Sequence, residues 1–274
     1  IIVIAGVNGT GKTTLLNDIL NPNDKLLLFH NIDGKITFVN GYPENKIYAI
    51  GDLPIIHKSD IIYLPASQKN LNDLSSFIIK YVDGFVYEKG KTSTEAYKEI
   101  QHSINLIFQD FHLNSHFKGL NRDKELIFTN NKGEQFGADG LSAGEKQILA
   151  KVFPLFTEEM EGKVVLMDEP EESLHPSWQS MLVPVLRRCA KENDCQFILA
   201  THSPQIISSV KSEELRMLYW DDNNIKVARC EEGTYGWTVE KVLREIQNVN
   251  YFRVPEIEEK LDQLNLMIEK NEYN

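Results

Sequence analysis

Short, continuously apolar segments recur along the chain, and each of them ends in glycine or in a polar cluster. They lie within residues 1–5, 163–168 and 195–200. Strands that are apolar at every position are typical of a parallel sheet covered by helices on both faces. Longer segments with helical patterning follow at residues 11–20, 142–158, 176–192 and 204–210. This alternation predicts an α/β fold with a mixed, largely parallel sheet and flanking helices.

The region between the first and second apolar segments has a different pattern. Turn signals at Asp33-Gly34 and Gly41-Tyr42-Pro43 separate short β-type segments at residues 25–30, 35–40 and 46–50. They predict a small antiparallel β subdomain within residues 21–65. A helical insertion is predicted within residues 66–140, with helices at residues 71–81 and 92–112 and a hairpin at residues 125–135. Thr92 and Glu95 have the spacing of a capping box at the start of the second helix.

We expect one domain over residues 1–274. Residues 1–20 form its first lobe, residues 141–220 hold the two later apolar strands, and residues 221–274 form a C-terminal hairpin and helical extension. The chain begins without methionine inside the first apolar segment, so we expect further N-terminal strands before Ile1. In the extension, Ile257, Leu261, Leu264 and Ile268 form one apolar stripe on a helix that begins near Pro255. This stripe either packs on its own domain or binds a partner.

The composition is that of a globular protein, with 42% hydrophobic and 25% charged residues. Because no apolar segment reaches the ~18–20 residues needed to span a bilayer, we expect no membrane association. Three cysteines without metal-ligand spacing predict free thiols and a cytoplasmic location. The net charge of −11 disfavours DNA wrapping driven by bulk charge, although it leaves a local basic patch open.

A glycine-rich loop follows the first apolar segment. Residues 6–13, Gly-Val-Asn-Gly-Thr-Gly-Lys-Thr, match the phosphate-binding pattern G-x-x-x-x-G-K-[ST] between a predicted strand and a predicted helix. We expect Lys12 to neutralise phosphate oxygens and Thr13 to offer its hydroxyl to Mg²⁺, at a helix N-terminus that itself attracts anions. The predicted nucleotide-binding residues of this loop are Asn8, Gly9, Thr10, Gly11, Lys12, Thr13 and Thr14. A glycine-rich turn that matches by chance is the alternative.

The second apolar segment, Val-Val-Leu-Met at residues 164–167, ends in two acids. Asp168 at the strand tip is predicted to hold the metal, and Glu169 is placed to orient and deprotonate an attacking water. This arrangement is a Walker B strand. The alternative is a pair of acids that begin a solvated loop.

Residues 141–147, Leu-Ser-Ala-Gly-Glu-Lys-Gln, resemble the signature of ABC ATPases, and the loop, signature and Walker B strand follow in that family's sequence of motifs. The resemblance implies the P-loop NTPase fold of an ABC ATPase head. It also implies that Ser142 and the N–H of Gly144 bind the γ-phosphate of ATP held by another subunit, within a head-to-tail homodimer. Ala143 stands where the family commonly has glycine. A plain helix N-cap, with Ser142 and Glu145 as a capping box, is the alternative.

Two further site residues follow from this resemblance. His202, after the third apolar strand, stands where ABC ATPases carry a switch histidine that contacts the γ-phosphate, whereas a structural histidine is the alternative. Gln68 is assigned by its place in the sequence as a ligand of the metal or of the attacking water. The predicted catalytic set is therefore Lys12, Glu169 and His202, the metal set is Thr13, Asp168 and Gln68, and the cofactors are ATP and Mg²⁺.

Local features favour one branch of this family. Asp-Glu-Pro-Glu at residues 168–171, Leu-His-Pro at residues 174–176 and Thr-His-Ser-Pro at residues 201–204 resemble bacterial ABC-like AAA ATPases of the SMC, RecF and OLD branch. The C-terminal residues 235–243 and 253–261 look like the extension of PtuA-like ATPases, which occur in Septu systems and some retrons beside a separate HNH nuclease. The resemblance implies an ATPase that controls a nucleic-acid-directed effector in anti-phage defence, with DNA or RNA left open as the target.

Two alternatives remain at this level. A transporter-energising subunit is disfavoured by the residues that follow the signature and the Walker B strand, and a slow nucleotide-sensing scaffold is disfavoured by the intact Lys12, Asp168 and Glu169. Asp221, Asp222 and the Glu231-Glu232 pair could also be interpreted as a nuclease metal site. A hairpin turn at residues 221–224 is the better interpretation of this sequence.

Overall fold

The computed structural model of the protein describes residues 1–7, 9–20, 29–32, 35–38, 61–65, 72–88, 90–123, 125–156, 160–221, 224–249 and 253–269. The described strands are β1 (Ile2–Gly6), β2 (Phe29–Ile32), β3 (Lys35–Phe38), β4 (Ile61–Leu64), β5 (Ser115–Leu120), β6 (Leu126–Asn130), β7 (Gln135–Gly137), β8 (Val164–Asp168), β9 (Gln196–Ala200), β10 (Leu215–Asp221) and β11 (Asn224–Ala228). The helices are α1 (Lys12–Leu20), α2 (Asn72–Tyr87), α3 (Ser93–Asp110), α4 (Ala143–Val152), α5 (Pro176–Glu192), α6 (Pro204–Ile207), α7 (Val239–Glu245) and α8 (Pro255–Glu269).

Six strands form the central sheet in the order β11-β10-β1-β9-β8-β4. All neighbouring pairs are parallel except β10 and β11, which form an antiparallel hairpin at one edge. Separate antiparallel sheets pair β2 with β3 and β5 with β6 and β7. The mixed, largely parallel sheet with a smaller antiparallel part is therefore confirmed, whereas the predicted strand at residues 46–50 lies outside the described residues.

Both faces of the central sheet are buried, as the continuous apolar segments predict. Side chains alternate between the faces along each strand. Ile2 and Ile4 belong to the cluster that includes Leu16 and Ile19 of α1. Val3 belongs to the larger cluster on the other face, together with residues of α3, α4 and α5. The helices therefore cover the sheet on opposite sides, and the loop after β1 emerges between them.

Several predicted helix boundaries are corrected by the structure. The helix predicted at residues 142–158 ends as an α-helix at Val152 and continues as one 3₁₀ turn, Phe153–Phe156. Pro154 explains this end, because its ring nitrogen cannot donate the next helical hydrogen bond. Helix α2 runs on to Tyr87, and α6 ends at Ile207. The capping box of Thr92 with Glu95 is confirmed.

Strand β5 is absent from the sequence-based prediction. Its only large buried side chain in mid-strand is Phe117, and its register against β6 shifts between Phe117 and Gly119. A side chain of α3 supports this strand, because Asn105 accepts a hydrogen bond from Phe117 N at 2.7 Å and donates one to Phe117 O at 3.1 Å. A strand with so short an apolar pattern depends on such tertiary contacts.

The C-terminal extension consists of two differently placed parts. Residues before α7 dock on the chain around α6, where Thr234 Oγ1 donates to Ile207 O at 2.5 Å and Gly236 N donates to Ser208 O at 2.9 Å. Helix α8 has no buried residue, and its predicted stripe is open to solvent, with Leu264 54% and Ile268 53% exposed. The stripe is therefore not buried within its own domain, and partner binding remains a prediction.

All three cysteines are free thiols. Cys189 is buried on α5, while Cys195 and Cys230 are partly exposed. In the part of the chain that the structure describes, no helix combines the length and apolar character required for crossing a membrane.

Candidate functional site

The glycine-rich loop connects β1 to α1 at the carboxyl edge of the sheet. Gly9 and Gly11 have φ angles of 80° and 76°, in the left-handed region that favours glycine. Thr10 is fully buried, and its hydroxyl donates to Val7 O at 2.9 Å. These contacts hold a tight turn whose backbone N–H groups lead directly into the N-terminus of α1. Such a turn has the geometry of an anion-binding loop.

Lys12 bends back over this loop. Its ammonium donates to the carbonyl oxygens of Gly6 at 2.9 Å and Val7 at 3.2 Å, and only 5% of the residue is exposed. Burial lowers the pKa of Lys12, an effect that the nearby carboxylates of Glu169, Glu171 and Asp168 oppose. The cation is thus held where phosphate oxygens would enter the loop.

The first residues of α1 contact the tip of β8. Thr13 Oγ1 donates to Asp168 Oδ1 at 3.1 Å. Burial raises the pKa of Asp168 and Glu169 adds to this rise, whereas the hydrogen bond from Thr13 and the charge of Lys12 lower it. A hydroxyl and a buried carboxylate are oxygen ligands of the type that Mg²⁺ prefers, and a cation bound there would offset the burial of the carboxylate charge. These two residues therefore fit a Mg²⁺ site.

Glu169 and His202 face each other next to Lys12. Glu169 has a φ of 42°, which is strained for a residue with a side chain, and its N–H donates to Ala200 O at 2.8 Å. Its Oε1 lies 3.7 Å from Nε2 of His202. Burial and the charge of Lys12 lower the pKa of His202, while Glu169 opposes this shift. The net shift favours the neutral form of the imidazole, which lies beside a partly exposed carboxylate.

One residue of this region was missed by the sequence analysis. Glu171 accepts hydrogen bonds from three groups of the segment that contains the switch histidine, Thr201 Oγ1, His202 N and Ser203 N, at 2.6, 2.7 and 2.9 Å. The available signal was its place in the Asp-Glu-Pro-Glu sequence after β8.

The signature begins helix α4. Ser142 is the N-cap residue and forms a capping box with Glu145, whose second oxygen accepts from Ser115 Oγ at 2.7 Å. The local alternative from the sequence, an N-capped helix, is therefore present in this structure. Ala143 is exposed in the first turn, so its methyl group is accommodated. Gly144 lies against α5, where an added Cβ would stand 2.3 Å from Cζ3 of Trp178.

The structure brings some predicted site residues together and separates others. Lys12, Thr13, Asp168, Glu169 and His202 converge at one edge of the sheet. The residues of α4 belong to the cluster on the opposite face from α1, and the hydrogen bonds described for Ser142 join it to Glu145. Thr14 is exposed in the first turn of α1. Asn8 and Gln68 lie outside the described residues.

The family described as “AAA domain, putative AbiEii toxin, Type IV TA system” matches residues 51–208, more than half of the chain. The matched range includes the signature, the Walker B strand and the switch histidine, and the glycine-rich loop precedes it.

Two relatives match parts of the chain. “Retron Vc95 probable ATPase” of Vibrio cholerae serotype O1 biovar El Tor is 26% identical over 196 residues, which cover 66% of this chain and 37% of that protein. “Septu protein PtuA” of Bacillus thuringiensis is 29% identical over 113 residues, which cover 37% of this chain and 28% of that protein. The chain thus spans well under half the length of either relative.

A solved structure shares the fold. The SMC head bound to the C-terminal winged-helix domain of ScpA matches with a TM-score of 0.51 at 14% identity, over 83% of this chain and 89% of that chain. The likeness is one of fold, and it confirms the predicted α/β fold of an ATPase head.

The packing of Gly144 against Trp178 leads to a prediction about stability. Gly144→Ala should lower the free energy of unfolding by about 1–3 kcal/mol, because the methyl group must displace a packed indole ring. The matched control is Gly84→Ala in α2, where an added Cβ meets no atom closer than 3.8 Å, and this change should stabilise the protein by about 0.4–1 kcal/mol. Urea unfolding measures both changes. Equal stabilisation by the two substitutions would contradict the packing argument.

Proposed function

This chain belongs to the family described as “AAA domain, putative AbiEii toxin, Type IV TA system”, a family of ATP-hydrolysing domains. We propose that the chain binds ATP with Mg²⁺ and hydrolyses it in a homodimer. We propose further that this ATPase controls a separate effector in antiviral defence. The observation that carries this proposal is the convergence of Lys12, Thr13, Asp168, Glu169 and His202. These residues come from three motifs, and the first of them lies more than 150 positions before the other two.

The glycine-rich loop binds the nucleotide, and Thr13 and Asp168 bind its metal ion. The N–H groups of the loop and the N-terminus of α1 contact the phosphates, and Lys12 exchanges the carbonyl oxygens of Gly6 and Val7 for phosphate oxygens. Thr13 and Asp168 hold Mg²⁺, with Gln68 as a further proposed ligand. The metal supplies positive charge that stabilises the phosphoryl group during transfer.

Glu169 acts as the base. Its carboxylate is partly exposed at the tip of β8, so that a water molecule can reach it, and the ammonium of Lys12 lies nearby to stabilise negative charge. The neutral His202 is suited to hydrogen-bond the γ-phosphate and to respond to its loss. The roles of these groups are those of a hydrolytic phosphoryl-transfer site.

Glu169→Gln should preserve ATP and Mg²⁺ binding and should slow turnover by about 10²–10⁴-fold, since the carboxamide retains the shape but cannot accept the proton. ATP-bound dimers should then accumulate, as measured by light scattering beside a steady-state phosphate-release assay. Glu161→Gln, at an exposed position before β8, is the matched control and should leave turnover unchanged. Hydrolysis near the wild-type rate in Glu169→Gln would remove this residue from its proposed role.

The separation of the signature from the P-loop supports a site shared between two chains. Because α4 and α1 lie on opposite faces of the sheet, the N-terminus of α4 with Ser142 and Gly144 is available to the nucleotide of another copy. A head-to-tail dimer places each signature over the partner's P-loop, and this arrangement forms two composite sites.

Subunit mixing tests this arrangement. Lys12→Ala and Ser142→Arg proteins should each lack ATPase activity alone. In their heterodimer both defects fall in one composite site, so the other site is intact and activity should partly return. Differently tagged subunits and tandem purification establish that heterodimers form, and each variant mixed with itself is the control. Absence of recovery in verified heterodimers would contradict head-to-tail sharing.

The effector is proposed to be a separate nuclease of HNH type, acting on DNA or RNA. The support consists of the resemblance to PtuA-like ATPases and the matches to retron and Septu proteins, which include only part of those proteins. The carboxylates Asp168 and Glu169 are assigned to ATP, and Asp221 is paired with Asn224 in the β10–β11 hairpin. Two-metal cleavage would require further converging carboxylates.

The purified chain, free of partners, should leave single- and double-stranded DNA and RNA intact in Mg²⁺ or Mn²⁺. Cutting should appear only when the effector is added, and it should depend on the nucleotide. The assay is gel electrophoresis of labelled substrates, with Lys12→Ala as the nucleotide-deficient control. Cleavage by the lone chain that survives Lys12→Ala and disappears in Asp221→Ala/Asp222→Ala would make this protein itself the nuclease.

A further inference from the structure

The backbone around the switch histidine is held from two sides. Glu171 Oε1 accepts from the N–H groups of His202 and Ser203 and from the hydroxyl of Thr201. On the opposite side, Gln247 Nε2 donates to His202 O at 2.6 Å. Both polar groups of the His202 main chain are therefore bonded to side chains from distant segments. His202 lies two residues beyond the end of β9 at Ala200, and its imidazole faces Glu169.

The Glu171 carboxylate is buried, which disfavours its charged form. Burial raises its pKa, and the hydrogen bonds that it accepts from Thr201, His202 and Ser203 oppose this rise. Its other oxygen, Oε2, is buried without a hydrogen-bond partner among the described residues. A glutamate that only filled space here would be replaced at little loss by an apolar side chain, whereas this carboxylate orders three successive residues. The position is thus suited to orienting a segment.

The loop that carries Glu171 is itself fastened to the signature helix. Lys151, in the last turn of α4, is only 3% exposed, and its ammonium donates to Pro170 O at 3.2 Å and Glu172 O at 3.3 Å. These two carbonyls flank Glu171 in the sequence. A continuous series of polar contacts therefore runs from α4, through Lys151 and the loop, to the main chain of His202.

We propose that Glu171 is a positioning residue for His202, and that Lys151 ties it to the signature helix, so that the two ATP-sensing elements of one chain are oriented together. Neither side chain is required to touch the nucleotide. This inference rests on the proposed function, because it assigns His202 a role in ATP turnover. Its consequence is that a change at α4 reaches the histidine through the loop after β8.

The test compares Glu171→Ala with a matched control in the full protein. Glu214 is also buried and accepts three hydrogen bonds, two from Arg187 and one from Lys211 N. It lies next to the start of β10, level with the amino end of β1, away from the nucleotide edge. Both alanine variants should lose thermal stability, but only Glu171→Ala should lower kcat, by about 10- to 100-fold, with little change in KM for ATP.

Conservative and double variants separate positioning from a general structural effect. Glu171→Gln keeps an oxygen that accepts the same N–H groups, so it should recover a large part of kcat. Lys151→Met should lower kcat in the same direction as Glu171→Ala. In a His202→Ala background, Glu171→Ala should cause no further loss of kcat, because a residue that acts through His202 cannot act without it.

The possible failures are distinguishable. Normal turnover in His202→Ala would overturn the role given to His202 in the proposed function. If His202→Ala lowers turnover but Glu171→Ala leaves kcat unchanged, or if the two losses multiply in the double variant, the positioning role of Glu171 is overturned while the proposed function stands. Full additivity of Lys151→Met with Glu171→Ala would break the link to the signature helix.

Discussion

The parallel pairing of β9 with both β1 and β8 is the constraint on which the nucleotide site depends. Ala200 is opposite Ile4 on one side and Asp168 on the other. The pairing continues past the strand ends, because Glu169 N donates to Ala200 O at 2.8 Å and Thr201 N donates to Ile4 O at 3.1 Å. Parallel strands bring their carboxyl ends to one edge. A shift of this register would separate the P-loop, the acids and the histidine.

The site concentrates charge in a partly buried region, and the groups compensate one another. Burial lowers the pKa of Lys12 and of Lys151 and raises the pKa of Asp168 and Glu171. In each lysine the neighbouring carboxylates oppose this effect. Such an arrangement keeps polar groups oriented before a ligand arrives, and preorganised charges stabilise a transition state more effectively than solvent does. The burial that shifts the pKa values of these groups therefore also suits them to phosphoryl transfer.

The signature has both a structural and a proposed catalytic aspect. Gly144 is required for the approach of α4 to Trp178 on α5, and the capping box of Ser142 with Glu145 orders the first turn of α4. These contacts fix the direction in which the N-terminus of α4 faces. An ordered, solvent-accessible N-terminus is what a phosphate from another subunit would need. The structural reading of the motif and the nucleotide-binding one are therefore compatible.

The sequence by itself determined those parts of the protein that depend on neighbouring residues. Short contiguous patterns predict the apolar strands, the P-loop, the two acids at the end of β8 and the β10–β11 hairpin. Strand and turn preferences depend on adjacent residues, so they can be read without the tertiary structure. Only the tertiary structure decided that β5 forms and that α8 leaves its stripe exposed. It also decided the roles of Glu171, Lys151 and Gln247, whose partners are 31, 19 and 45 residues away in sequence. A side-chain hydrogen bond across such a distance leaves no periodic trace, since it exists only after the sheet and helices have brought its two partners together.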